Sequence, residues 1–335
     1  MMIRFASRPN FPLCHRPAGV AFIDDEPDYL RSIAMLQPDA QYTRYFLSPR
    51  ECIAHFKKDI DRQNADLWEQ QCLINKWNQG AGLIGLILEY WKTAHERYDF
   101  MQILLVDFAM PAMNGLELLS HIAEWQGSRV LLTGHATEHL AVDAFNSGGI
   151  DQYIPKQTAN MAGHVGAVVK KLLAVRNERR DQIWRNTFTP EQIRLLEQPA
   201  TAIALTEFAD AHWIEHIAIG SPFGILGYDA NGAVSWLQLE TLESRAGIVE
   251  IIESLETPGD WQAVAKDVAA GKSIVNVEMD MSLNGNGQFV TKPSFPIGSD
   301  SVTAALFDLA PGIGPVDELS YAHWLKTRPT NSVPD

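Results

Sequence analysis

Several short apolar segments of this chain end in polar residues and are followed by helix-like sequence. The clearest, residues 103–106, runs into Asp107 and then into a loop that contains Pro111 and Gly115. Strands that alternate with helices form parallel sheets with right-handed crossovers. The pattern therefore predicts an α/β fold, a doubly wound parallel sheet with the polar strand ends at one edge. The other segments are 19–23 before Asp24 and Asp25, 43–47, 129–132 before Thr133, and 151–155 before Lys156.

The residue types at this edge suit phosphoryl transfer. Three carboxylates, Asp24, Asp25 and Asp107, offer the hard oxygen ligands that Mg²⁺ prefers. A carboxylate can also act as a nucleophile and form an aspartyl-phosphate. A metal and Lys156 would neutralise charge on the phosphoryl group, and the Thr133 hydroxyl can donate to one of its oxygens. Because neighbouring carboxylates repel one another, the sequence predicts a bound cation here.

Together these residues resemble the receiver domain of bacterial two-component response regulators. The matching positions are the acid pair 24–25, the segment 107–115, Thr133 and the segment 153–156, within residues 17–180. The resemblance implies a flavodoxin-like sheet of five parallel strands. It also implies a cytoplasmic protein of a phosphorelay that accepts phosphate from a sensor histidine kinase or a phosphotransfer protein.

The resemblance assigns roles around the phosphate. Asp107 would be the phosphoacceptor, and Lys156 would contact the transferred group. Asp25 and Asp107 would bind Mg²⁺ directly, Asp24 would help through water, and the backbone carbonyl of Ala109 would complete the protein ligands.

The resemblance also assigns residues to a conformational switch and to the control of how long the aspartyl-phosphate lasts. Thr133 and Tyr153 would be the switch pair that reorients on phosphorylation. Ala109 and His135, two residues beyond Asp107 and Thr133, would flank the phosphate. Because alanine cannot hydrogen-bond an attacking water, slow self-dephosphorylation is expected unless His135 positions that water.

Each residue also has a purely structural interpretation. Aspartates often cap helices, Thr133 could cap a strand end, Tyr153 could belong to the core, and Lys156 could be a solvated surface residue. An aspartyl nucleophile with Thr and Lys also occurs in Mg²⁺-dependent phosphatases of the haloacid-dehalogenase kind. Those enzymes carry Asp-x-Asp at the end of the first strand, whereas residues 24–26 here read Asp-Asp-Glu.

The segment between the acid pair and Asp107 is longer than a receiver needs. The surplus, at about 57–95, contains residues 80–85, Gly-Ala-Gly-Leu-Ile-Gly, which match G-x-G-x-x-G. That motif indicates nucleotide binding only after a strand. Because the preceding residues 66–77 are polar and helix-like, we expect a helix-to-helix turn. Gln157 stands where the family usually has proline after the lysine.

The second half of the chain predicts an α+β domain. Residues 224–239 read as a hairpin around Asn231-Gly232, between a helix at 208–217 and further helices that include 261–270. Three strands are predicted last, at 274–283, 288–297 and 301–309. This order and the segment 222–232 are similar to a PAS domain. The predicted divisions are an extension 1–16, the receiver 17–180, a helical linker 181–205, the PAS-like domain 206–312 and a tail 313–335.

Charge argues against DNA as the target of the output domain. The net charge is −14, and only seven basic residues lie beyond position 185. DNA-reading domains normally present a basic face to phosphate. We therefore expect signalling through protein contacts. An apolar helix over 165–184 is predicted, and its last part, through Trp184, is expected to form a homodimer. An uncharacterised enzyme in this acidic half is the alternative.

Composition agrees with a cytoplasmic location. No apolar run approaches the ~20 residues of a membrane span, and the first residues lack the apolar stretch of a signal peptide. The three cysteines have no metal-like spacing and leave an odd thiol, as in reducing compartments. Apart from self-catalysed phosphotransfer and dephosphorylation, we expect no enzymatic activity.

Overall fold

The computed structural model describes residues 11–35, 41–111, 113–134, 138–174, 177–254, 261–283, 285, 287, 289–328 and 333. The strands are β1 (Cys14–His15), β2 (Gly19–Ile23), β3 (Thr43–Phe46), β4 (Met101–Asp107), β5 (Ser128–Thr133), β6 (Gln152–Pro155), β7 (Glu215–Gly220), β8 (Phe223–Tyr228), β9 (Val234–Thr241), β10 (Ser273–Val275), β11 (Thr291–Pro293), β12 (Phe295–Ile297) and β13 (Ser299–Asp308). The α-helices are α1 (Pro27–Ala34), α2 (Pro49–Asn78), α3 (Leu83–Trp91), α4 (Gly115–His121), α5 (Glu138–Ser147), α6 (Met161–Leu173), α7 (Glu178–Arg185), α8 (Pro190–Leu196), α9 (Pro199–His212), α10 (Leu242–Glu253), α11 (Trp261–Ala269), α12 (Val277–Ser282) and α13 (Tyr321–Thr327). Within these described ranges, no helix has both the length and the apolar character that a membrane crossing requires.

The parallel sheet has the predicted doubly wound architecture. Its five strands lie in the order β3-β2-β4-β5-β6, and every neighbouring pair is parallel. This is the flavodoxin-like order, in which ligands bind beyond the carboxyl ends of the strands. Helices α1 and α6 pack on one face, and α2, α4 and α5 pack on the other. Coverage of both faces explains why these strands read as nearly continuous apolar runs.

The second sheet is antiparallel, with six strands in the order β1-β7-β8-β9-β13-β12. The predicted hairpin at 224–239 is confirmed, because β8 pairs antiparallel with β9. Strand β13 returns to pair with β9 over seven residues. At one edge, β1 pairs with β7, so the predicted N-terminal extension supplies a strand of this sheet. The short strands β10 and β11 pair separately.

Three predictions for this half are wrong. Residues 215–217 belong to β7 rather than to a helix, because α9 ends earlier and the sheet buries Ile217 and Ile219 completely. Residues 277–282 form α12 rather than a strand. Strand β10 ends just before Asn276, whose backbone amide donates to the Val290 carbonyl and whose side chain accepts from the Val290 amide, after which α12 begins. A three-stranded meander, β7-β8-β9, therefore precedes the helices instead of following them.

The surplus at 57–95 forms the end of α2, the whole of α3 and a 3₁₀ turn at Ala94–Glu96. The G-x-G-x-x-G segment spans the turn between the two helices and the first three residues of α3, as expected for a helix-to-helix turn, and Gly80 has a φ of +98° that favours glycine. Helix α3 is apolar apart from the exposed Glu89 and packs in the core of the antiparallel sheet. The buried members of that core include Leu83, Ile84, Ile87, Leu88 and Trp91 from α3, with Ile217, Leu226 and Trp236 from the sheet.

The prediction of one continuous helix over 165–184 is wrong. The region contains two helices, α6 and α7, and Asn177 caps α7 by accepting a hydrogen bond from the Arg180 amide. Asparagine favours this position because its oxygen satisfies an amide that has no partner within the helix. Trp184, expected on a dimerising surface, is fully buried, and its Nε1 donates to Gln70 Oε1 at 2.9 Å.

Candidate functional site

The carboxyl edge of the parallel sheet brings the three predicted acids together. Asp24 directly follows β2, and Asp107 is the last residue of β4, so adjacent strands deliver both carboxylates to the same edge. Asp24 and Asp107 are buried, whereas Asp25 is partly exposed. One carboxylate oxygen from each of the three lies within 4.8 Å of the others. Such a spacing allows all three side chains to share one ligand.

Lys156 lies between two of these acids. Its backbone amide donates to the Thr133 carbonyl at 2.8 Å, which fixes where the side chain begins. Its Nζ is 2.7 Å from Asp24 Oδ2 and 2.8 Å from Asp107 Oδ1. One ammonium group faces three carboxylates, so the cluster keeps an excess of negative charge. Hard oxygen donors with uncompensated charge fit a divalent cation such as Mg²⁺.

Burial and pairing act in opposite directions on these groups. Burial raises the pKa of Asp24, and the hydrogen bonds from Lys156 and from the Glu26 amide only partly offset this. For Lys156, burial lowers the pKa, but hydrogen bonds to Asp107 and Asp24 outweigh it and leave the pKa above its usual value. The lysine therefore stays protonated and provides a fixed positive charge at the edge.

Thr133 ends β5 beside this cluster. Its side chain is completely buried, and within the described part of the chain its hydroxyl has no hydrogen-bond partner. A buried hydroxyl that makes no hydrogen bond loses the stabilisation that water would have provided. The hydroxyl is therefore available to donate to an oxygen that arrives at the acidic edge.

The loop after β4 positions the backbone around Asp107. The Gly115 amide donates to the Phe108 carbonyl at 3.0 Å and closes the loop. A Cβ at Gly115 would lie 2.4 Å from the Asp107 carbonyl oxygen, so a side chain cannot be accommodated there. Asn114 and Glu117 form a capping box that begins α4. Local sequence chemistry thus fixes where the loop leaves β4 and where the helix starts.

The remaining predicted residues are Tyr153, Ala109 and His135. Tyr153, in β6, is half-buried beside the apolar cluster that covers this face of the sheet, and it is paired in register with Leu131. Ala109 is exposed in the loop, two residues beyond Asp107. His135 lies outside the described residues.

Tyr29 in α1 is part of the site, although the sequence did not single it out. The Nζ of Lys156 lies 4.5 Å from the centre of its ring, a cation–π distance. Burial raises the pKa of the Tyr29 phenol to about 12. The sequence does show an aromatic residue in the first turn of the helix after the acid pair. Whether its ring faces Lys156 depends on how α1 packs, which the sequence does not show.

The response regulator receiver domain is the family whose model matches this chain, over residues 73–164. The matched range begins near the end of α2 and includes Asp107, Thr133 and Lys156. The acid pair at 24–25 lies outside it. The fold nevertheless brings that pair to the same edge. Comparison with curated proteins finds no match.

Solved structures extend the likeness to the whole chain. The response regulator LqsR of Legionella pneumophila matches at a TM-score of 0.71 and 22% identity, over 95% of this chain and 97% of its own. The two proteins therefore share a fold that includes the antiparallel half. A receiver domain protein of Clostridium thermocellum covers 47% of this chain and 94% of its own, at 18% identity and a TM-score of 0.32. The receiver domain of NtrX from Brucella abortus covers 46% and 97%, at 18% identity and a TM-score of 0.31.

Proposed function

We propose that this chain, which contains a receiver domain of the response regulator type, is a phosphorylation-controlled switch whose phosphoacceptor is Asp107. One observation carries the proposal: Asp107 Oδ1 lies 2.8 Å from Lys156 Nζ, within a cluster of three carboxylates at the edge of the sheet. A receiver domain implies a histidine kinase or phosphotransfer protein as partner. A carboxylate oxygen of Asp107 attacks the phosphorus of a phosphohistidine, and the histidine nitrogen leaves with the electrons of the P–N bond.

The residues around Asp107 suit this transfer. Asp24, Asp25 and Asp107, with the Ala109 carbonyl, would hold Mg²⁺, which supplies charge neutralisation on the phosphoryl oxygens. Lys156 holds a second positive charge in a fixed position, so little reorganisation is needed as negative charge moves to the site. Asp107 also ends the third strand of the parallel sheet along the chain, whereas haloacid-dehalogenase phosphatases carry their nucleophile on the first.

The switch that we propose begins at Thr133. Phosphorylation adds about −1.5 to −2 charge at Asp107, and the unpaired Thr133 hydroxyl turns to donate to it. Movement of Thr133 opens space into which the half-buried Tyr153 follows. The surface formed by α5 and β6 then repacks and presents a different face to partners.

The second half is the output module in this proposal. Its PAS-like character rests on the hairpin β8–β9, the helices after it, and the return of β13 beside β9. The scarcity of basic residues beyond position 185 argues for protein contacts, including a homodimer, rather than DNA. Location in the cytoplasm, where histidine kinases present their phosphohistidine, belongs to the same proposal.

Phosphorylation with a small donor tests the acceptor. We expect acetyl phosphate with Mg²⁺ to add one phosphoryl group to the full chain, measured by intact mass. The substitution Asp107→Asn should abolish the addition, because a neutral amide is a far weaker nucleophile than a carboxylate. Chelation of Mg²⁺ should also abolish it. Asp143→Asn, at an exposed position of α5, is the matched control and should leave labelling unchanged. Persistent labelling of Asp107→Asn would mean that another residue is the acceptor.

A further inference from the structure

A second polar cavity lies at the opposite end of the parallel strands. It has a volume of about 680 Å³ and opens between the amino ends of the strands and helix α7. Its walls include Ala18, Met101, Ser128 and Asp151, which lie just before or at the start of the parallel strands. The cavity is therefore separate from the acidic edge, which lies at the carboxyl ends. Its size is that of a small-molecule site.

Arg16, which lines this cavity, belongs to a buried group of charges. Arg16 pairs with Asp66 at 2.7 Å, and Arg97 lies between Asp66, at 3.5 Å, and Glu215, at 3.3 Å. All four side chains are buried. The two carboxylates are thus already shared between two guanidinium groups. Asp66 and Glu215 therefore carry little charge that is not already offset.

A further buried cation is Arg180, in α7. Arg180 is 7% exposed and lines the cavity, and its buried Nε has no hydrogen-bond partner among the described residues. The neighbouring Asp181 directs Oδ1 to the backbone amides of Leu13 and Cys14. Burial, and then the charge of Arg16, lower the pKa of Arg180. A buried guanidinium without a nearby carboxylate lowers the stability of the folded protein by roughly several kcal/mol unless a bound anion pairs with it.

We propose that this cavity binds a small hydroxylated organic anion, a carboxylate or a phosphate, with its charged group on Arg180. Guanidinium groups bind carboxylate and phosphate oxygens in pairs. The exposed Arg179 adds positive charge at the opening, whereas Arg185 on the same walls is paired with Glu197 at 3.0 Å. Asp151 and Glu178 on the same walls can accept hydrogen bonds from hydroxyl groups, which favours a polar organic anion over a bare ion.

The position gives such a ligand a way to influence signalling. Arg180 lies in α7, which follows the last receiver helix, and Asp181 in the same helix holds the strand β1 of the antiparallel sheet. The ligand would therefore contact the receiver sheet and fix α7 against the second half.

Calorimetric titration of the full chain tests the proposal. Citrate, glucose 6-phosphate and inorganic phosphate are added separately without Mg²⁺, and we expect at least one of the two organic anions to bind more tightly than inorganic phosphate. Arg180→Met should weaken that binding at least about tenfold, because it removes a charge-assisted pair. It should also raise the melting temperature of the free protein, because it removes a buried cation whose Nε has no hydrogen-bond partner among the described residues.

Three further variants complete the test. Arg179→Glu, at an exposed position, should weaken binding without touching the buried charges, so the test survives if Arg180→Met fails to fold. Lys156→Gln, at the acidic edge, should leave binding intact and separates this site from the phosphoacceptor site. Arg194→Met, on an exposed face of α8, is the neutral control. Binding of none of the three anions, or equal binding by Arg180→Met with a lowered melting temperature, would overturn the proposal.

Discussion

At the residue scale, Lys156 is the cation that organises the acidic edge. Its ammonium group is within hydrogen-bonding distance of both Asp24 and Asp107, so it holds the two carboxylates at a common point. The ring of Tyr29 lies beside it and limits its movement. A phosphoryl group on Asp107 would thus arrive next to a cation that is already positioned, which lowers the reorganisation needed.

The residue two positions beyond the acceptor offers a test of phosphate lifetime. Ala109 cannot hydrogen-bond a water that attacks the aspartyl-phosphate, and its exposure leaves room for a longer side chain. We expect Ala109→Asn to speed phosphate loss roughly tenfold, the effect of one added hydrogen bond of about 1.4 kcal/mol in the transition state. The measurement is the decay of phosphorylated protein by intact mass after removal of the donor.

The control for this substitution is Ala123→Asn. Ala123 is also exposed but precedes β5, at the opposite end of the strands, so the lifetime should not change. An unchanged or longer lifetime in Ala109→Asn would show that another group, such as His135, already positions the water.

The convergence of the candidate site residues was predictable because each lies at the end of a predicted strand. Asp24, Asp25, Asp107, Thr133 and Lys156 follow or end apolar segments, and the parallel topology brings such ends together. Tyr29 was not predictable in this way. Its role depends on the direction of one ring in α1, which is set by packing rather than by sequence spacing.

Among the elements, the inserted helix α3 departs most from a receiver. Apart from the exposed Glu89 its residues are apolar or glycine, and a helix so rich in apolar residues is buried over most of its surface. Such a composition indicates burial but does not say in which core. The structure places it against the antiparallel sheet. The G-x-G-x-x-G segment serves this packing, because the helix start at Gly82 approaches the backbone of Ser282 closely.

Two glycines of this segment should respond to alanine in opposite directions. At Gly82 a Cβ would lie 2.0 Å from the Ser282 carbonyl oxygen, and backbone cannot move aside easily. We expect Gly82→Ala to lower the free energy of unfolding by about 1–3 kcal/mol, as for other overpacked positions. The measurement is urea denaturation of the full chain.

Gly85 is the matched control, three residues later in α3. The nearest atom to its Cβ would be 3.8 Å away, an ordinary contact. Alanine is a better helix former, so Gly85→Ala should raise the free energy of unfolding by about 0.5–1 kcal/mol. Equal effects at both positions would contradict the close approach to Ser282.

At the scale of the whole molecule, segments that the sequence analysis assigned to different domains or to the termini contact one another. The predicted extension supplies β1 to the antiparallel sheet, and the predicted tail contains α13, whose Trp324 ring lies 5.0 Å from the Tyr42 ring of the receiver part. The buried ion pairs link Arg16, Asp66 and Glu215, which are distant in sequence. Charged residues are rarely buried unless paired. The sequence alone therefore favours a surface position for each of these residues, and only the fold shows the partner that allows its burial. The domain limits themselves remain a prediction.

Arg97 is the clearest link between the two sheets, because it lies between Asp66 of α2 and Glu215 of β7. Arg97→Met would leave two buried carboxylates incompletely paired. We expect the free energy of unfolding to fall by about 3–5 kcal/mol, as when one partner of a buried pair is removed. Arg31→Met, which breaks an exposed pair with Asp28, should cost less than about 1 kcal/mol.

Hydrogen exchange of the native protein decides whether Arg97 couples the sheets. If the two sheets open together, Arg97→Met should lower protection of slowly exchanging amides in β4 and in β8 by the same free energy. Protection that falls in β8 alone would show that the antiparallel half opens by itself. Equal loss would mean that the two sheets open as one cooperative unit through the buried core that they share.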